Sequence, residues 1–72
     1  MTRDTAEKIV QRLIGVSGAL NDTLRLAQAE MSEGAFQDYR RRTGEVMGAI
    51  YLDLLKPIVK DFPDLDAGAD ND

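Results

Sequence analysis

The sequence predicts an all-α protein, an antiparallel hairpin of two helices, and three observations carry that expectation. Apolar residues recur at steps of three and four along two long stretches. Ser32-Glu33-Gly34 interrupts the pattern once between them, and no stretch alternates with the period of two that a half-buried strand needs.

The first helix is expected over about residues 5–31, capped by Thr5 or Asp4. Its stripe reads Ile9, Leu13, Val16, Leu20, Leu24, Ala27 and Met31. At 100° per residue these positions span an arc of about 80°, with Ala6 and Val10 at its edge. Gly15 and Gly18 each cost about 1 kcal/mol relative to alanine. They leave open an alternative of three short helices with a break between Gly15 and Asp22.

Ser32 suits the N-cap of a second helix over about residues 32–62, because its hydroxyl can accept from the free amides of a first turn. The main face of that helix is Phe36, Tyr39, Thr43, Val46, Ile50 and Leu54, with Met47 beside it. So short a link forces the helices antiparallel, and residues whose numbers sum to about 64 then face each other. That pairing brings Leu20 to Gly44 and Val16 to Gly48 in close approach. Pro57 removes one helical hydrogen bond and crowds the carbonyl of Asp53, at a cost of about 3 kcal/mol, so a kink is expected near it. Phe62-Pro63-Asp64-Leu65 ends the regular structure. Residues 1–65 thus read as one domain and 66–72 as a disordered acidic tail.

The second helix carries more apolar surface than a hairpin shelters. Gly44, Gly48, Tyr51, Leu55, Val59 and Phe62 form a further stripe, roughly 100 to 180° around from Ile50. Exposed, such a stripe makes an apolar patch of several hundred Å², the size at which interaction sites are found. A chain of 72 residues with neither cysteine nor histidine also lacks the disulfides and metal sites that staple small domains. The expectation is therefore a homodimer, two hairpins packed at roughly 20° as a four-helix bundle, with those six residues at the interface.

The same composition argues against catalysis. No imidazole or thiol is present, and Glu7, Glu45 and Asp53 are isolated acids of the kind that solvate a helix surface. No cofactor or metal site is expected. Arg40, Arg41 and Arg42 fan about 100° apart, so one chain offers no flat phosphate-binding face. Local pairing with Asp38 and Glu45 accounts for them. The alternative is a nucleic-acid-associated regulator in which two such clusters combine across a dimer. Phe62-Pro63-Asp64-Leu65 reads as a helix terminator, with a linear recognition element as its alternative.

Net charge is −4, and the acidity is terminal: nine Lys and Arg face eight acids up to Lys60, and five aspartates follow. Such an ending repels nucleic acid and anionic membranes. The acids among the first eight residues, and an uncharged run no longer than Leu13 to Asn21, give neither a secretory signal nor a membrane span. A cytoplasmic chain is expected, whose partner is itself or another protein.

From Phe36 through Leu65 the chain, with Tyr39-Arg40-Arg41, Gly44, Met47-Gly48, Leu54, Pro57-Ile58 and Phe62-Pro63-Asp64-Leu65, resembles small bacterial helical-hairpin proteins that end in a Pro-Asp-Leu turn. The resemblance covers under half the chain and implies no activity. In layout alone the expected bundle is similar to the Rop family of plasmid RNA-binding proteins, with no shared motif and so no implication of RNA binding.

Overall fold

A computed structural model of the chain describes residues 1–66. Helix α1 spans Arg3–Glu30, and α2 spans Glu33–Ala49. A π-helical segment, Ile50–Leu55, continues α2 without a break into α3, Lys56–Asp61, and a 3₁₀ turn, Pro63–Leu65, follows. The two long arms pack side by side as the expected hairpin.

The termini of α1 lie slightly earlier than the sequence suggests. Thr2 is the N-cap, its hydroxyl accepting from the Thr5 amide at 3.2 Å, so the helix begins at Arg3. At the other end Met31 is already extended, and its amide donates to the Ala27 carbonyl. The Ser32 hydroxyl accepts from the Ala35 amide at 3.3 Å, as its cap position predicts. Helix α1 runs unbroken through Gly15 and Gly18, so the three-helix alternative is not what forms. Residues packed on both sides of the glycines hold the helix together: Leu13, Ser17 and Leu20 all sit half-buried along it.

The inter-helix seam is rotated from the expected stripe. Ala6, Val10 and Ala27 are the buried apolar residues of α1, and Thr43 is the buried residue of α2. Val16 and Met31, expected in the seam, are exposed at its edge, whereas Ala6 and Val10 move to its centre. Small side chains at Ala6, Ser17 and Ala27 let the helices meet along this line.

On the second arm the seam changes stripe. It follows Phe36, Tyr39, Thr43, Met47 and Ile50, then passes to Leu55, Ile58, Val59 and Phe62, each half-buried apart from the buried Thr43. The step from Ile50 to Leu55 is five residues, one more than an α-helix places on one face. The π segment absorbs that extra residue, because its bonds run from i to i−5 and each turn holds more chain. The Lys56 amide accordingly donates to the Tyr51 carbonyl. Straight α geometry would turn Leu54, Pro57 and Asp61 toward α1 and leave Leu55, Val59 and Phe62 in water. Leu54, expected in the seam, is instead exposed. The departure from α geometry falls just ahead of Pro57, the second residue of α3, whose ring and missing amide an uninterrupted α-helix accommodates poorly.

The chain end is tied back to its start. Arg3 Nε donates to Asp64 Oδ2 at 2.8 Å, Nη2 donates to the same oxygen, and Nη1 pairs with Glu7 at 2.9 Å. Both hydrogen bonds and charge raise the Arg3 pKa, Asp64 contributing most. Of the expected acidic tail only Asp66 is described, its amide donating to the Pro63 carbonyl; the remainder lies outside the described residues. Among the described residues no helix is long and apolar enough to cross a membrane.

Candidate interaction surface

The hairpin is a single layer. It measures 45 × 24 × 16 Å, two helices wide and little more than one helix thick. One layer gives each helix a single neighbour, so apolar groups flanking the seam stay open where a second layer would cover them.

The six residues expected at an interface divide into two groups. Gly44, Gly48 and Tyr51 are exposed, and a methyl group added at either glycine would meet nothing within 4 Å. The expected close approach of Leu20 to Gly44 and of Val16 to Gly48 is therefore absent within the chain. Leu55, Val59 and Phe62 are half-buried on the side turned toward α1. The hairpin itself shelters part of the stripe that suggested a partner. The apolar surplus persists, but other residues carry it.

Ile14 and Tyr51 are open on one side of the seam, and Val16, Val46 and Leu54 are open in line on the other. The Tyr39 hydroxyl donates to Thr23 Oγ1 across the seam at 2.7 Å, which fixes both register and side. Seven residues back from Thr23 is Val16, and seven on from Tyr39 is Val46, so these two form the next rung on the same face. A further seven back is Ile9, and eight on, the π segment adding one, is Leu54. Val16 is 48%, Val46 51% and Leu54 50% exposed, with Ile9 half-buried. All three open residues had been expected inside the seam. The rows 9–16–23 and 39–46 run parallel to the seam rows, and that offset is the sequence signal that distinguishes them.

The opposite face is more polar. On α1 it bears Glu7, Ile14, Asn21 and Gln28, and on α2 Gln37 and Gly44, with Tyr51 beyond them. Its grooves are shallow, one of about 310 Å³ being lined by Asn21, Leu24, Phe36 and Arg40 among others.

The arginine run is largely engaged within the chain. Arg42 Nε donates to Asp38 Oδ2 at 2.9 Å, and Arg41 Nη2 donates to Asp38 Oδ1 at 2.6 Å. Arg41 also reaches Glu45 at 3.3 Å. The two guanidiniums hold the Asp38 carboxyl below its ordinary pKa, Arg42 contributing first, while the carboxylate raises both arginines. Arg40 makes no ion pair among the described residues and borders the groove beside Phe36. The triplet thus presents one uncommitted cation and two locally paired ones. Glu7 pairs with Arg3 and Glu45 with Arg41, and no group of three potential ligands is placed to hold a metal among the described residues.

Comparison with protein-family profiles, with curated proteins and with solved structures finds no match to this chain.

Proposed function

We propose that the chain is a non-catalytic assembly module that acts as a homo-oligomer, two hairpins closing into a four-helix bundle. One observation carries this reading: Val16, Val46 and Leu54 stand about half exposed in line on one face of a single-layer rod. Each such side chain gains roughly 1 kcal/mol on being covered, and a second layer covers all of them together. Interaction with another protein through the same face is the variant of this reading that a heterologous partner would realise. Nucleic-acid recognition has less to rest on, since Arg41 and Arg42 already spend their charge on Asp38 and Glu45.

Sedimentation equilibrium on the full chain at micromolar concentration tests the reading. The expected mass is twice the 8.0 kDa of one chain. A mass of 8.0 kDa across the micromolar range would overturn it.

A further inference from the structure

The face that carries Val16, Val46 and Leu54 also has edges, and the edges are not neutral. On α1 the edge row lies three residues beyond Ile9, Val16 and Thr23, at Arg12, Ala19 and Leu26. On the second arm it lies three beyond Tyr39 and Val46, at Arg42 and Ala49, and passes to Asp53 a turn later. Ala19 and Ala49 flank the central Val16–Val46 rung, so the middle of the face is low and another pair of helices can approach it closely.

Arg12 and Asp53 mark opposite edges at nearly the same level, each close to the Ile9–Leu54 rung. Both are exposed, and neither makes an ion pair among the described residues. Most other cations of α1 and α2 are engaged: Arg3, Lys8, Arg25, Arg41 and Arg42 each have a carboxylate. An unpaired cation on one edge and an unpaired anion on the other, at one level, is a self-complementary arrangement. A half-turn about an axis parallel to the hairpin exchanges the two edges and keeps every level, so α1 of one copy lies over the second arm of the other.

Resting on the assembly reading, we propose that the occupant of this face is a second copy of the chain. The two copies are related by a two-fold axis along the hairpin, with Arg12 of each copy paired to Asp53 of the other. The contact is isologous and closes on itself, which stops growth at the dimer. Its central rung is apolar, its rim is charged, and the open Leu26 of one copy lies along the stem of Arg42 of the other. A face of 45 by 24 Å offers on the order of 1,000 Å², against the roughly 800 Å² per partner of a standard stable interface.

Charge exchange tests the axis and the face together. The chain and the variants Arg12→Asp, Asp53→Arg and the double variant are compared by sedimentation equilibrium at low salt, with circular dichroism to confirm equal helicity. Each single change sets like charges against each other at both rims and raises the dimer dissociation constant about tenfold, and the double variant returns it to near the starting value. Single variants that dimerise as well as the parent would overturn this face and axis while leaving self-assembly standing. Weakened singles with no recovery in the double variant would overturn the Arg12–Asp53 pairing. A parent chain that is itself monomeric would overturn the assembly reading and this arrangement with it.

Discussion

The Tyr39 hydroxyl donates to Thr23 Oγ1 at 2.7 Å while Thr23 donates its own proton to the Leu20 carbonyl at 2.6 Å, a relay that sets the register of the two arms. Tyr39→Phe removes the first link and leaves the second. It is expected to cost about 1 kcal/mol in urea unfolding. Thr23→Val and the double variant complete a cycle whose coupling energy is of similar size. Additive losses would mean that the contact does not set the register.

The π segment gives Leu54 and Leu55 opposite roles. Leu55→Asp puts a charge on the half-buried side of the arm and should destabilise the hairpin by about 2 kcal/mol, read as a lower urea midpoint. Leu54→Asp, on the open face, should leave the helicity of dilute protein unchanged and lower the assembled fraction. Equal destabilisation by both would imply α geometry through Ile50–Leu55.

Gly44 and Gly48 separate two possible interfaces. Because added methyl groups meet open space, Gly44→Ala and Gly48→Ala should each raise stability by about 1 kcal/mol without weakening assembly. Loss of assembly in either variant would move the interface to the Gly44–Gly48–Tyr51 side.

The Asp38 carboxyl is held low by Arg42 and Arg41, so its folded pKa lies beneath the unfolded reference of about 3.9. The folded chain then binds this proton less readily than the unfolded chain. The stabilisation from the pair is complete above the unfolded value and is lost as pH falls through the folded one. A carboxyl-carbon NMR titration should give a midpoint under the reference, returning toward it in Arg42→Gln. A midpoint at or above the reference would contradict the pairing.

Much of the architecture was legible in the residues. The steps of three and four gave both helices, Ser32 gave the second N-terminus, and the spacing from Asp38 to Arg41 and Arg42 gave the ion pairs. What escaped was the one place where the period changes. A uniform 100° per residue splits the second arm into two stripes, one ending at Leu54 and one running through Leu55, Val59 and Phe62. The second therefore looks surplus. The chain joins the first half of one stripe to the second half of the other through the π segment, and the five-residue step from Ile50 to Leu55 was its only mark. The exposed rungs were hidden for a related reason. Val16 and Val46 keep helical spacing with the true seam, and only a cross-strut such as Tyr39 to Thr23 shows on which side of it they fall.

Thermal unfolding followed by circular dichroism, over a hundredfold range of chain concentration, bears most directly on whether these hairpins finish their core in pairs. Coupled assembly predicts a melting temperature that climbs steadily with concentration, by mass action. A melting temperature that stays constant over that range would show that the single layer is stable alone and would contradict the account.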